Sequence, residues 1–144
     1  MTQVSSVTHA ISINPATGEQ IGHYPFQSAS DLDAALARAA AGFSVWRRTP
    51  VEQRAQALVV LARTLRDNAA TMANMISVEM GKPVTQARGE IEKCAQLCEW
   101  YAEHGPAMLT AEPTLVEGGK ARIEYRPLGP ILAVMPWNFP IWQV

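Results

Sequence analysis

Cysteine and excess positive charge are both scarce in this sequence. Only two of its 144 residues are cysteine, Cys94 and Cys98, and 12 lysines and arginines are balanced by 13 aspartates and glutamates. Two cysteines are too few for a disulfide scaffold, and no second pair of ligands completes a zinc site. The net charge of −1 gives no support for a nucleic-acid or membrane-surface protein, which normally carries a basic patch. A reducing, cytoplasmic setting fits the small number of cysteines.

Long apolar runs and phosphate-binding motifs are also absent. The longest unbroken apolar stretches, residues 57–62 and 131–137, are far shorter than a membrane span. The first six residues lack the basic and apolar regions of a secretion signal. Neither a Gly-x-Gly-x-x-Gly motif nor a P-loop occurs. The histidines have no metal-ligand spacing, so we expect no metal site and assign them to the surface or to helix ends: His9, His23 and His104.

The sequence does have enough apolar material, 48% of its residues, to fill a core. Its first part predicts a pair of strands. Residues 11–13 alternate between apolar and polar side chains, residues 14–19 are dense in turn formers, and residues 20–24 can return as a second strand.

Four stretches of helical periodicity follow. Each places apolar residues three or four positions apart, so that they share one face of a helix. The four stripes are Leu32, Leu36, Ala39, Phe43 and Trp46; Val51, Ala55, Leu58, Ala62 and Leu65; Ala69, Ala73, Ile76 and Met80; and Ala87, Ile91, Cys94, Cys98 and Tyr101. We expect the last helix to end near residues 104–106.

Capping residues mark the ends of these helices. Ser30, followed by acidic residues, predicts the start of the first helix. Residues 49–52 predict a capping box at the second, with Pro50 at the first helical position. Asn68 can cap the third helix, and Gly81 closes it.

The fourth helix carries both cysteines. Cys94 and Cys98 lie one turn apart on its apolar stripe, which predicts two buried thiols. Neither has the helix N-terminus or basic neighbour that would lower its pKa, so we reject both as nucleophiles. The acidic residues of this helix are assigned to its solvated side: Glu90, Glu92, Glu99 and Glu103.

After Pro113 the period changes from helical to alternating. Residues 114–117 and 121–125 flank two glycines, which favours a tight hairpin. Residues 131–135 are continuously apolar, which is typical of a parallel strand covered by helices on both faces. Such a strand needs neighbouring strands. We therefore expect the chain to be the N-terminal part of a longer protein, and Pro140 to begin a further helix.

Asn138 is the candidate for chemistry that the residues themselves indicate. It follows the apolar strand directly, at the end where ligands bind in open α/β sheets. Its neutral amide, held between Pro136 and Pro140, suits a developing oxyanion. Asparagine is also a common turn former and helix cap. The residues alone leave both interpretations open.

The segment Ile-Leu-Ala-Val-Met-Pro-Trp-Asn-Phe-Pro, residues 131–140, closely resembles the strand and loop that open the dinucleotide-binding core of NAD(P)-dependent aldehyde dehydrogenases. Pro-Trp-Asn-Phe-Pro is a highly specific signature of that family. Other segments agree with the family in order: residues 14–19, 46–47, 79–83 and 126–129. Residues 98–106 and 112–116 are most similar to bacterial succinate-semialdehyde dehydrogenases. The resemblance covers nearly the whole chain from about His9.

This resemblance implies an α/β fold. It would consist of an N-terminal helical layer, small β-hairpins and the first strand of a Rossmann-like parallel sheet, as an incomplete aldehyde dehydrogenase fold. Residues 1–112 would form the strands and helices of the cofactor-binding domain. Residues 113–128 would be the first part of an arm that joins subunits, and residues 129–144 the start of the NAD(P)-binding core.

The resemblance also implies a function. Asn138 would be the oxyanion-hole asparagine, and Met135, Pro136 and Trp137 would line the NAD or NADP site together with it. The complete enzyme, a homodimer or homotetramer, would oxidise an aldehyde through a cysteine thioester, with succinate semialdehyde as the expected substrate and succinate as the product. The nucleophilic cysteine and the general-base glutamate would lie beyond Val144, so the chain alone is expected to be inactive.

Two alternatives remain at this stage. The chain could be a non-catalytic helical interaction module, which accounts for the helices but not for the apolar strand or the Trp-Asn-Phe loop. It could also belong to an aldehyde dehydrogenase that acts on another aldehyde.

Overall fold

The computed structural model describes residues 8–144, and this part of the chain forms four α-helices and two two-stranded antiparallel sheets. Residues 1–7, which include the stretch without a secretion signal, lie outside the described residues. The elements are β1 (His9–Ile13), β2 (Gln20–Pro25), α1 (Ala29–Trp46), α2 (Val51–Asp67), α3 (Ala69–Met80), α4 (Val84–Met108), β3 (Glu112–Val116) and β4 (Gly119–Ile123). The α/β fold class is confirmed.

The first hairpin is confirmed and lies against α3. β1 and β2 pair from His9 opposite Pro25, with an irregularity between Ser12 and Ile13. The hydroxyl groups of Ser12 and Tyr24 both donate to Glu79 Oε1 on α3, at 3.3 and 3.4 Å. The hairpin is therefore tied to the helical layer by polar contacts.

The core lies between α2, α3 and α4, and α4 packs against both of the other helices. Small residues at the crossings let the helix backbones approach closely, and Ile91 is the largest side chain that is fully buried. The three predicted stripes supply most of the buried apolar residues, which are Ala62, Leu65, Ala73, Ile76, Ala87, Ile91, Cys94 and Ala95. α4 runs through Pro106 to Met108, so its predicted end near residues 104–106 is slightly early.

The apolar stripe of the first helix is not buried. α1 contains no buried residue, and Leu32 and Leu36 are 55% and 60% exposed. The periodicity is that of an amphipathic helix, but no element of the described chain covers this face. Its cap is also displaced. Ser28, not Ser30, accepts the N–H of Asp31 at 3.2 Å, and the Asp31 carboxylate accepts the N–H of Ser28 at 3.0 Å.

Two further predicted caps are wrong, because both side chains serve the preceding helix instead. Thr49 donates its hydroxyl to the carbonyl of Val45 at 3.3 Å, and Pro50 is the residue before α2. Asn68 Nδ2 donates to the carbonyl of Thr64 at 2.8 Å. Because the connections are so short, each residue lies beside the free carbonyls that end one helix. Gly81 closes α3 as predicted, with φ of 78°.

The second hairpin is confirmed, although its two-residue turn is formed by Glu117 and Gly118. The strand predicted at residues 131–135 and the helix predicted from Pro140 are absent from the structure. Residues 131–136 have no regular secondary structure, residues 137–143 form turns, and Ile131 and Leu132 are 88% and 89% exposed. A strand needs hydrogen-bonding partners, and the described chain offers no neighbouring strand to this segment.

In the part of the chain that the structure describes, no helix has the length and apolar character needed to cross a membrane.

Candidate functional site

The candidate site is the loop of residues 136–142, which includes Asn138 and packs on the helical layer. This loop contains no helix or strand. Its backbone is bound by two side chains that lie 56 and 51 residues earlier in the chain than the loop residues they contact. Lys82 lies two residues after the end of α3, and Glu90 lies on α4. We call these two residues the anchor pair.

The anchor pair is buried and ionic. The side chains of Lys82 and Glu90 are only 7% and 2% exposed, and Lys82 Nζ donates to Glu90 Oε2. Burial raises the pKa of Glu90, but hydrogen bonds from Lys82 and from the N–H groups of Ile141 and Trp142 outweigh it and leave the pKa below its ordinary value. Glu90 is therefore a buried carboxylate, and its assignment to the solvated side of the helix was wrong.

Each member of the pair also binds the loop backbone. Glu90 Oε1 accepts the N–H groups of Ile141 and Trp142 at 3.0 and 3.1 Å. Lys82 Nζ donates to the carbonyl of Asn138 at 2.9 Å and lies 4.0 Å from the centroid of the Phe139 ring. An ammonium over an aromatic face is an attractive contact.

The side-chain amide of Asn138 is free. Asn138 is exposed, and within residues 8–144 its amide makes no hydrogen bond. Asn138 does lie in a turn, as the alternative interpretation allowed, but its side chain does not cap the residues that follow. Pro140, two residues on, has no N–H to donate, and the N–H of Ile141 is taken by Glu90. The structure thus holds the backbone of Asn138 and leaves its amide available to a ligand.

Trp137 and Met135 differ in their surroundings. Trp137 is 76% exposed and borders a cavity of about 450 Å³ between the loop and α3, whose lining includes Met72, Met80 and Ile141. Met135 is half-buried and Pro136 is exposed. The four predicted site residues, Met135 to Asn138, are consecutive in the chain, and they present apolar side chains beside a single free amide.

Cys94 and Cys98 lie on the packed face of α4, as predicted. Cys94 is buried and Cys98 is half-buried, and both are free thiols. Burial raises the pKa of both thiols, and the carboxylates of Glu90 and Glu99 add to this effect for Cys94 and Cys98 respectively. A thiol with a raised pKa forms little thiolate near neutral pH. Neither cysteine has the environment of a nucleophile.

Glu92 and Glu99 do face solvent, and both bind Arg66 of α2. Arg66 Nη2 lies 3.0 Å from Glu92 Oε1 and 2.8 Å from Glu99 Oε2. Hydrogen bonds from Arg66 lower the pKa of both carboxylates. Over residues 8–144, no three histidine, cysteine, aspartate or glutamate side chains come together as metal ligands would.

The sequence analysis did not predict the anchor pair, although the helical spacing indicates that Glu90 lies on the buried face of α4. Glu90 is three residues after Ala87 and four before Cys94, which are both on the buried stripe. An acid at that position needs a partner, because a buried unpaired charge is very unfavourable. Lys82 gave no such signal, since it lies outside any helix.

The sequence matches the aldehyde dehydrogenase family over residues 2–144. It is 60% identical over 141 residues to the succinate semialdehyde dehydrogenase [NAD(P)+] Sad of Escherichia coli K12, covering 98% of this chain and 30% of that protein. It is 43% identical over 134 residues to succinate-semialdehyde dehydrogenase [NADP(+)] 1 of Mycobacterium tuberculosis H37Rv, covering 91% of this chain and 29% of the relative. The chain thus spans just under a third of these relatives.

Solved structures of aldehyde dehydrogenases are similar to this chain as well. The succinic semialdehyde dehydrogenase of Streptococcus pyogenes, in complex with NADP+ as the cofactor, superposes with a TM-score of 0.88 at 32% identity, covering 93% of this chain and 30% of that one. An aldehyde dehydrogenase of Brucella melitensis gives a TM-score of 0.87 at 29% identity, covering 94% and 28%. Sequence and fold lead to one conclusion: the chain belongs to the aldehyde dehydrogenase family.

Proposed function

We propose that this chain is the part of an NAD(P)-dependent aldehyde dehydrogenase that provides the oxyanion-stabilising amide, and that the complete enzyme oxidises succinate semialdehyde to succinate. Support for the substrate comes from the relatives, since three of the four proteins named above are succinate-semialdehyde dehydrogenases.

The observation that carries the proposal is the free amide of Asn138 on an anchored backbone. A neutral N–H donor stabilises the negative charge that develops on an aldehyde oxygen when a nucleophile attacks its carbon. Such a donor acts best when it needs no reorganisation at the moment of reaction. Lys82 and Glu90 provide that fixation through the backbone on both sides of Phe139.

The residues of the loop fit the nicotinamide end of NAD(P). Met135, Pro136 and Trp137 offer an apolar surface beside one amide, which suits a flat ring bearing a carboxamide. No glycine-rich phosphate-binding motif is present in the sequence, so binding of the diphosphate would depend mainly on the rest of the enzyme. When bound, NAD(P) supplies the hydride acceptor.

The proposal assigns the nucleophilic cysteine and the general base to the rest of the enzyme. The two thiols of this chain have raised pKa values and lie on the packed face of α4. The small number of cysteines in the sequence supports a reducing, cytoplasmic location. The exposed hairpin β3–β4 is proposed as the start of the arm that joins subunits in a homodimer or homotetramer.

The test is Asn138→Ala in the complete enzyme, assayed with succinate semialdehyde and with NAD or NADP. We expect kcat to fall about 10²–10³-fold, as for the loss of another oxyanion donor. Asn138→Asp keeps the shape but places an anion near the oxyanion, so kcat should fall at least as far. Asn74→Ala makes the same change on the exposed side of α3 and should leave kcat unchanged.

An unchanged kcat in Asn138→Ala would overturn the proposal, provided that a deuterated aldehyde shows hydride transfer to be rate-limiting. Comparison with other aldehydes tests the substrate assignment. If kcat/KM for an uncharged aliphatic aldehyde exceeds that for succinate semialdehyde, the enzyme acts on another aldehyde.

A further inference from the structure

A buried pair of charges such as the anchor pair is unusual in a small helical core. Removing two charges from water costs several kcal/mol per ion, so a buried ion pair is weak evidence for stability. Lys82 and Glu90 are the two charged residues among the buried residues of the described chain. Their burial calls for an explanation beyond packing.

The remaining polar atoms of the pair are directed at the loop. Glu90 uses one oxygen for Lys82 and the other for the N–H groups of Ile141 and Trp142. Lys82 uses one further N–H for the carbonyl of Asn138. The pair therefore holds the backbone on both sides of Phe139, at three points within five residues.

The loop has few backbone hydrogen bonds of its own. Apart from the anchor pair, it is held by the packing of Ile141 and Trp142 against the helical core and by Lys93, whose Nζ lies 3.6 Å from the centroid of the Trp142 ring. Residues 131–136 form no strand, and the turns of residues 137–143 contain a single weak backbone hydrogen bond, from Val144 N to the Ile141 carbonyl at 3.3 Å. α4, in contrast, is a long helix packed on two others. Glu90 thus transfers the rigidity of α4 to a segment that lacks regular structure.

We propose that Lys82 and Glu90 are positioning residues for Asn138: the pair fixes the loop backbone so that the Asn138 amide points at the aldehyde oxygen. This inference rests on the proposed function of Asn138. Neither residue touches the substrate, so both act through Asn138. Misplacement of a catalytic group by about 1 Å can cost about 10²-fold in rate.

The main test variant is the double substitution Lys82→Met/Glu90→Gln in the complete enzyme. It removes both buried charges together, which avoids an unpaired ion in the core. Its Gln still accepts the N–H groups of Ile141 and Trp142, but the bond to the Asn138 carbonyl is lost. We expect kcat per active site to fall about 10-fold or more with KM nearly unchanged, because only the donor geometry is altered.

A second double variant, Lys82→Met/Glu90→Leu, removes the acceptor as well and should lower kcat further. Glu92→Gln is the matched control, since Glu92 lies two residues on in α4 with its side chain 47% exposed and bound to Arg66. It should leave kcat unchanged. Active-site titration corrects every value for misfolded protein.

The decisive measurement repeats the Lys82→Met/Glu90→Gln substitution in an Asn138→Ala background. If the pair acts through Asn138, it should cause no further loss of kcat there, because the amide it positions is gone. An equal loss in both backgrounds would overturn the inference, and so would an unchanged kcat in the wild-type background. An unaffected kcat in Asn138→Ala alone would instead overturn the proposed function.

Discussion

Glu90 on α4 accepts the backbone N–H of Ile141, 51 residues further along the chain, at 3.0 Å. The same oxygen accepts the N–H of Trp142, and Lys82 binds the other oxygen. One ionised side chain therefore fixes the turn that follows Asn138.

We predict that this turn loosens in acid. The folded-state pKa of Glu90 lies below the ordinary 4.5, so its stabilising contribution is complete above about pH 4.5 and is lost as pH falls through the folded-state value. The protection of the Ile141 and Trp142 amides against hydrogen exchange, measured relative to unprotected amides at the same pH, should be constant from pH 8 to 5. This protection should then decrease at lower pH.

The Phe26 amide provides an internal control, because it donates to the Thr8 carbonyl, which does not titrate. Its protection should not follow the titration of Glu90. The neutral Gln of the Lys82→Met/Glu90→Gln variant should make the protection of Ile141 independent of pH. Loss of protection already near pH 6 would contradict the lowered pKa.

Local patterns predicted the helices well because each carries its own period. The stripe of α4 placed Ala87, Ile91 and Cys94 on the buried face, where they lie. Gly81 ended α3 because only a residue that tolerates positive φ closes a helix in this way. Both hairpins followed from alternation and turn residues.

The failures that concern burial and strand pairing share one cause, which is that both depend on partners outside the segment whose pattern is read. Periodicity gave α1 an apolar face but could not supply the element that covers Leu36. A continuously apolar run gave residues 131–135 the character of a buried strand, yet a strand forms only beside another. Glu90 was taken as solvated because its partner Lys82 lies outside the helix.

We predict that Cys94 and Cys98 are slow to alkylate and dispensable for catalysis. Burial raises both thiol pKa values, so little thiolate is available near pH 7. Iodoacetamide labelling, followed by mass spectrometry of the two cysteines, should be slower than that of glutathione at pH 7.5. Its rate should keep rising above pH 9. The complete enzyme with Cys94→Ala and Cys98→Ala should retain its kcat. A labelling rate that levels off below pH 8, or loss of turnover in the double variant, would place a reactive thiolate on α4.

The two glycines that flank the start of α4 should respond oppositely to alanine. Gly81 has φ of 78°, and an added Cβ would meet Pro15 Cγ at 3.1 Å. Gly81→Ala should therefore lower the free energy of unfolding by about 1–2 kcal/mol, the usual cost of a left-handed conformation for a residue with a side chain. Gly89 lies exposed within α4, and an added Cβ meets no atom within 4 Å. Gly89→Ala should raise the free energy of unfolding by about 0.5–1 kcal/mol, since alanine loses less backbone entropy in a helix.

Urea denaturation of the wild-type protein and the two variants measures this difference. The midpoints should lie in the order Gly81→Ala, wild type, Gly89→Ala, with equal slopes, because neither change alters the surface exposed on unfolding. Both variants add a single methyl group to the chain, so a difference between their midpoints reports the position of the substitution and not its chemical nature. If Gly81→Ala unfolds at the wild-type midpoint, the turn between α3 and Lys82 accepts a side chain. The positive φ of Gly81 would then not be required to place Lys82 beside Glu90.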